Sequence, residues 1–157
     1  LDAVIVSIGG GGLISGIATS IKLINPHCKI YGVEPEGADA MYQSFVKGGP
    51  IPKSKQDSIV DSLSPPMTLP YSYSLCRKYV DEIVTLSDDE ICGSLVYFQE
   101  EAKLAVEPAA AATLSAVIGP LKQKLSGKKV GLIICGANID SKSYSELLER
   151  GTKYLNS

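Results

Sequence analysis

Apolar residues in this chain follow two rhythms. Short unbroken runs such as Val4-Ile5-Val6 and Leu132-Ile133-Ile134 have the length and branched content of buried strands, whereas Leu13, Ile14, Ile17 and Ile21 recur at helical spacing. The first run predicts a strand over residues 2–8. The second predicts a helix over 13–24, stopped by Asn25-Pro26 because a residue preceding proline is pushed out of the helical region. Lys29-Ile30-Tyr31-Gly32-Val33-Glu34 reads as a second strand. Together these make a βαβ unit, which implies a right-handed crossover and parallel strands.

Farther along, residues 38–46 read as a short helix closed by Lys47-Gly48-Gly49-Pro50. The stretch from there to Pro70 is rich in Ser, Pro and Lys and reads as loop; loops of that length inside compact domains are uncommon unless functional. A helix over 71–79 and a strand over 80–85 follow. Ser87-Asp88-Asp89-Glu90 is a capping box, with the serine as N-cap and the glutamate three residues on, and predicts a helix over 88–103. Glu107-Pro108 opens the next helix, since proline suits a first helical turn, and the small residues of 109–117 let that helix approach a neighbour closely. Gly119-Pro120 kinks or breaks it before 121–125. The clearest strand pattern spans 128–135, and a last helix spans 142–150. This order belongs to the α/β class, a largely parallel twisted sheet with helices on both faces. Ligands of such sheets bind at the carboxyl ends of the strands. Two of those ends carry distinctive loops, Gly9-Gly10-Gly11-Gly12 and Cys135-Gly136-Ala137-Asn138.

Composition narrows the function without naming it. At 157 residues, 45% hydrophobic and 20% charged, the chain has enough apolar content for one packed domain, and its net charge of −2 offers no basic field for nucleic acid. The longest apolar runs fall far short of the ~20 residues of a membrane span, and no signal peptide is evident. Four cysteines (Cys28, Cys76, Cys92, Cys135) without a C-x-x-C pair, and a single histidine, His27, signal neither a zinc site nor a disulfide framework, so a cytoplasmic location is expected. The first residues, Leu1-Asp2, lead directly into a buried-type strand without a methionine, which points to a fragment of a longer chain.

The tetraglycine loop is the most informative stretch. Four residues without a Cβ let several amides converge on one ligand, and the helix that follows adds its unpaired N–H groups and the positive end of its dipole. A phosphate is the expected guest. Two readings stay open on the residues alone. Gly10, Gly12 and Gly16, with Glu34 at the end of the next strand, approximate a dinucleotide fingerprint and a nicotinamide-dependent oxidoreductase. Against it, all of 9–12 being glycine suits a compact phosphate cup better than a pyrophosphate turn.

Taken in order, Gly9-Gly10-Gly11-Gly12-Leu13-Ile14-Ser15-Gly16, Gly32-Val33-Glu34-Pro35, Val80-Asp81-Glu82-Ile83-Val84 with Ser87-Asp88-Asp89-Glu90-Ile91, Glu107-Pro108-Ala109-Ala110-Ala111 and Cys135-Gly136-Ala137-Asn138-Ile139-Asp140 resemble the C-terminal half of the serine/threonine dehydratase and serine racemase family, pyridoxal-phosphate enzymes of fold type II. The resemblance runs over almost the whole chain. It implies that Gly9, Gly10, Gly11 and Gly12, with the Leu13 amide, hold the phosphate of pyridoxal 5'-phosphate, that Cys135 faces the pyridine nitrogen, and that Glu107 lies near the cofactor ring. Read from the residues, Glu107 is equally a first-turn acid favoured by the helix dipole, and Cys135 a buried small hydrophobe.

A thiol, unlike an aspartate, does not keep the ring nitrogen protonated, which favours prompt β-elimination of L-serine or L-threonine to a 2-oxo acid and ammonia; racemisation of serine is the alternative within the family. Metal-stimulated members imply a Mg or Ca site at Glu34 and the Ala38 carbonyl, but their third ligand falls at position 40, which is alanine here, with Asp39 one residue off. Ser62 stands where relatives usually place glycine beside the ring. The resemblance places the Schiff-base lysine and the substrate-carboxylate loop in a preceding half, so no catalytic residue is expected in residues 1–157, whose lysines, Lys22, Lys103 and Lys129 among them, read as solvated. That half, a small amino-acid substrate and a second copy in a homodimer are the implied partners.

Overall fold

A computed structural model describes residues 1–51 and 56–157. The expected loop between Pro50 and Pro70 therefore lies partly outside the described residues. Four parallel strands, β1 (Ala3–Ser7), β2 (Lys29–Pro35), β3 (Glu82–Leu86) and β4 (Val130–Leu132), form one sheet in the order β3-β2-β1-β4. Register runs from Ala3 opposite Lys29 to Ser7 opposite Val33, and from Ala3 opposite Val130 to Ile5 opposite Leu132. β1 sits in the interior, so all five of its residues are buried, and its side chains alternate between two cores. Ala3 and Ile5 join Tyr31 and Val33 in one; Val4, Val6 and Ile8 join Ile30 and Ile83 in the other. The period of two sends neighbours to opposite faces, so both faces are covered, as a parallel sheet requires.

One face carries α1 (Gly12–Ile24), α2 (Ala40–Lys47) and α3 (Pro70–Tyr79), which contribute Ile14, Ala18, Met41 and Cys76 to the core. The other carries α4 (Asp88–Tyr97), α5 (Pro108–Ile118) and α6 (Ser141–Leu155). In α5, Ala109 to Ala112 and Ala116 are at most 1% exposed. Their small side chains let the helix lie close under β1, β2 and β3, as the alanine run predicts. The capping box is present in full: the Ser87 hydroxyl accepts from the Glu90 amide, and the Glu90 carboxylate accepts from the Ser87 amide at 2.8 Å.

Several expected boundaries move, each for a local reason. The helix predicted over 88–103 is regular only to Tyr97, then widens into a π-helical turn at Phe98–Ala102 that Lys103 ends with φ 57. No helix forms over 121–125. After Gly119 leaves helical geometry the chain passes through successive turns, and these still deliver Leu121 and Leu125 to the core. The strand predicted over 128–135 is assigned only at Val130–Leu132, with one further bond from the Ile133 amide to the Ile5 carbonyl. Among the described residues β4 pairs with β1 alone, and an edge strand half-open to solvent has less to hold it extended. α6 runs on to Leu155 rather than ending near 150, because it packs along α4. At their crossing, a Cβ on Gly151 would lie 2.1 Å from the Cys92 carbonyl oxygen, so the helices meet backbone to backbone.

Lys22 is not a solvated lysine. It pairs with Asp81 at 2.7 Å, and the same carboxylate takes Lys29 Nζ and the Ile30 amide, each at 2.8 Å. Asp81 thus ties the end of α1 and the start of β2 to the entrance of β3, at the end of the sheet remote from the glycine loop. Partial burial alone would raise its pKa, but the hydrogen bonds from Lys22, Lys29 and Ile30 outweigh it and hold the carboxyl below its ordinary value. A depressed folded-state pKa gives stability that is fully present above the unfolded value and lost as pH falls through the folded one. Asp81→Asn therefore lowers the chemical-denaturation midpoint at pH 7 and flattens its decline below about pH 4, the ordinary carboxylate value. Gly151→Ala lowers stability by about 2–3 kcal/mol through overpacking, and Ser87→Ala by about 1 kcal/mol through loss of the cap. Denaturation midpoints rank the two, and a Gly151→Ala protein as stable as the parent contradicts the contact between α4 and α6.

Candidate functional site

Four consecutive glycines, Gly9 to Gly12, carry the chain from β1 into the first residue of α1, and each has its own reason to lack a side chain. Gly11 holds φ 85, a left-handed conformation, and a Cβ there would stand 2.7 Å from Met41 Cε and 3.0 Å from Ser72 Cβ. Gly9 lies under the loop at 61–63, where a Cβ would meet the Ser62 carbonyl oxygen at 3.0 Å. At Gly10 and Gly12 a Cβ would meet nothing within 4 Å, so both border open space. Gly11 therefore shapes the loop, Gly9 lets the loop above come down, and Gly10 and Gly12 keep a volume clear.

That volume is a cavity of about 220 Å³, walled by Gly9 to Leu13 on one side and by Ser62 and Leu63 above, with Ser7, Ala109, Glu107 and Cys135 on the remaining sides. It lies at the carboxyl end of β1, where a parallel sheet binds its ligands. Ligand cavities commonly measure roughly 300–1,000 Å³. This one lies at the small end of that scale, nearer the size of a single ring than of a dinucleotide. The first α-type bond of α1 runs from the Ser15 amide to the Gly11 carbonyl at 3.0 Å, so the amides of Gly12, Leu13 and Ile14 have no acceptor within the helix. Gly11 as N-cap brings no side-chain acceptor either. An anion at this end would meet unpaired amides and the positive end of the helix dipole.

The roof is anchored on its upstream side. Upstream, the Asp57 amide donates to the Gly37 carbonyl at 3.1 Å, and the backbones touch so closely that a Cβ on Gly37 would overlap the Asp57 carbonyl. Next to it, Asp88 accepts from the Ser58 hydroxyl at 2.7 Å and the Ile59 amide at 3.0 Å. The functional loop anticipated from composition is thus an ordered cover over the described residues nearest the cavity.

Two wall residues escape sequence reasoning. Ser7, 3% exposed, donates its hydroxyl to the Ala109 carbonyl, joining the end of β1 to the first turn of α5. Its signal was that it alone is polar in the strand sequence Ala-Val-Ile-Val-Ser. Leu63 had no signal, because its place depends on how the roof folds over. Cys135 is exposed as a residue, the only one of four cysteines so described, while its thiol faces Ser7 and Glu107 along the cavity wall. Burial of the thiol and, after it, the charge of Glu107 push its pKa up, with the Ser7 hydroxyl opposing. At neutral pH it is a neutral S–H, a donor rather than a thiolate.

Glu107 is the N-cap of α5 but does not use its side chain to cap that helix. Its carboxylate turns outward, accepts from the Asn138 amide at 3.1 Å and lies 3.5 Å from the Ser62 hydroxyl, while its own amide donates to the Gly136 carbonyl at 3.1 Å. Beyond Ser62 and Glu107 lies a second, larger cavity of about 610 Å³, reaching Asp140 and α6.

Glu34 and Ala38 stand elsewhere. Glu34 is 1% exposed, and its two oxygens accept the Met41 and Tyr42 amides at 2.9 and 2.7 Å, so it caps α2. Ala38 is buried in the 3-10 turn Glu36–Ala38. Asp39, the displaced acid, takes the Gln43 side chain at 2.8 Å. A cation at Glu34 would have to compete with two backbone amides, and among the described residues no group of three or more His, Cys, Asp or Glu could hold a metal ion. These residues do not fit a resident cation, and no step is assigned to one. The same burial keeps Glu34 from serving as a ribose-binding acid beside the glycine loop. No helix among the described residues is long and apolar enough to cross a membrane.

The sequence signature of the pyridoxal-phosphate dependent enzyme family matches residues 1–136. The chain is 50% identical over 151 residues to the phenylserine dehydratase of Ralstonia pickettii, covering 96% of this chain and 46% of that protein. It is 36% identical over 150 residues to the serine racemase of Schizosaccharomyces pombe, again covering 96% and 46%. Among solved structures, the processed form of threonine deaminase isoform 2 from Solanum lycopersicum matches with a TM-score of 0.90 at 29% identity over 96% of this chain and 44% of that one. Maize serine racemase matches at a TM-score of 0.86 and 32% identity over 100% and 49%. The chain spans about half the length of the relatives it matches. The family match decides against the dinucleotide alternative, and the chain belongs to the pyridoxal-phosphate dependent enzymes of fold type II.

Proposed function

We propose that this chain is the cofactor-holding part of an ammonia-lyase that eliminates the hydroxyl group of a 3-hydroxy amino acid, serine and threonine being the first candidates. The observation that carries the reading is the 220 Å³ cavity with unpaired helix amides at one end and a neutral thiol at the other. The residues fit the group. Gly10 and Gly12 leave clear the volume a phosphate would occupy, and the Gly12 and Leu13 amides would donate to its oxygens. Cys135 would donate its S–H to an unprotonated ring nitrogen. The names of similar proteins specify phenylserine, threonine, serine and 3-hydroxyaspartate as what those proteins act on, and all of these carry a hydroxyl on the carbon next to the one bearing the amine.

When bound, pyridoxal phosphate supplies an electron-withdrawing ring that takes up the electron pair left as the α-proton departs. This chain's residues would bind and orient that group. The glycine cup would hold its anionic end, the roof at Ser62 and Leu63 would cover one side, and the neutral thiol of Cys135 would leave the ring nitrogen without a full positive charge. That balance favours loss of the β-hydroxyl over return of the proton to the opposite face, which is the racemase alternative. The preceding half of the protein supplies the Schiff-base lysine, the substrate-carboxylate loop and the rest of the fold in this reading, with a homodimer as the assembled form.

Two measurements test it. Gly10→Ala fills open space and leaves the thermal midpoint in place while abolishing pyridoxal-phosphate binding followed by fluorescence; Gly11→Ala, strained at φ 85, loses about 1–3 kcal/mol of stability. Equal effects of the two substitutions refute the division of labour in the cup. Separately, the 157-residue chain mixed with pyridoxal phosphate should yield no visible band that borohydride fixes to a lysine, whereas the full-length protein should. A fixed lysine within this chain overturns the assignment of the anchor to the other half.

A further inference from the structure

We propose that Glu107 is a positioning residue for Cys135, acting through the Gly136–Asn138 turn rather than on the bound cofactor. The inference rests on the cofactor reading only in naming what the thiol faces. Besides the bonds its carbonyl accepts from the Ala110 and Ala111 amides of α5, Glu107 makes three ties, and two go to this turn: its amide donates to the Gly136 carbonyl and its Oε2 accepts from the Asn138 amide, both at 3.1 Å. The carboxylate lies so near the chain that a Cβ on Gly136 would be 2.7 Å from its carboxyl carbon and from Oε1. The third tie, Ser62 Oγ at 3.5 Å, reaches the roof. Cys135 leaves a strand whose last regular residue is Leu132, so the sheet alone does not fix it. Glu107 bolts the segment that follows to the N-terminus of α5, which is itself rooted in the core through Pro108 to Ala112.

The groups around the thiol confine the electrical effect to one residue. Ser7 reaches it from β1 with an uncharged hydroxyl, and Asp140, at the start of α6, lines the neighbouring larger cavity together with Asp61 of the roof. Glu107 is the charged group that raises the thiol's pKa. A glutamate here therefore does two separable things: its oxygen holds the turn, and its charge adds to burial in pushing the thiol's pKa up. A first-turn acid that merely favoured the helix dipole would do neither.

The experiment is alkylation of Cys135 by iodoacetamide across pH in the full-length protein freed of cofactor, read by mass spectrometry of the peptide that contains it. Cys28, Cys76 and Cys92 are buried and serve as internal controls. Glu107→Gln keeps an acceptor for the Asn138 amide but removes the charge; the pH midpoint of alkylation moves down and the limiting rate at high pH stays at the parent value. Glu107→Ala removes both; the midpoint moves down and the limiting rate rises several-fold as the turn is released. A Glu107→Gln midpoint that does not move overturns the proposal, whether or not Glu107→Ala folds. So does a limiting rate in Glu107→Gln as high as in a folded Glu107→Ala. Because the readout needs no cofactor, failure of pyridoxal phosphate to bind would refute the proposed function and leave this result standing.

Discussion

The carboxyl end of β1 is a place where backbones must come closer than side chains allow. Gly11 sits against Met41 and Ser72 in a left-handed turn, Gly9 lies under the Ser62 carbonyl, and Gly37 presses on the Asp57 carbonyl to hold the roof segment down. Remove that freedom at Gly11 and α1 cannot start where it does, so its unpaired amides no longer face the cavity. The ligand-binding geometry is thus a consequence of close packing, with the clear volume left over where Gly10 and Gly12 make no contact at all.

A second habit of the molecule is to direct acidic side chains at backbone amides. Asp81 takes the Ile30 amide, Asp88 the Ile59 amide, Glu34 those of Met41 and Tyr42, Glu107 that of Asn138, and Asp140 those of Lys142 and Ser143. Apart from Asp140, which caps its own helix, each joins segments that secondary structure alone leaves loose. Hydrogen bonds to a charged acceptor contribute about 1.5–3 kcal/mol where they are shielded from water and less at the surface. Glu34, a candidate metal ligand by sequence, thus places both carboxylate oxygens on amides of α2, and Glu107 places one on the amide of Asn138.

The open side of the structure is as informative as the closed one. β4 has a partner on one side among the described residues, Leu1 and Ile134 are 67% and 45% exposed, and the cavity is walled on the sides this chain supplies. A parallel sheet is ordinarily covered on both faces and seldom ends in an exposed apolar edge. Relatives about twice as long have the material to complete it.

Much of this was legible in the residues. Apolar runs, helical spacing and breaker residues located β1, β2 and β3 and the helices α1, α2, α3 and α5 to within a few residues, the Ser87 capping box marked the start of α4 outright, and the glycine run marked one wall of the cavity, because each depends on neighbours in the chain. The shortness of β4, the turns over 121–125 and the reach of α6 to Leu155 were not, since they depend on what lies alongside: β1 as the one strand paired with β4 among the described residues, and the Cys92 backbone beneath Gly151. The direction of a carboxylate was least legible of all. Nothing in Glu107-Pro108 says that the side chain abandons its own helix for Asn138, thirty-one residues on, because only the folded backbone brings that amide within 3.1 Å.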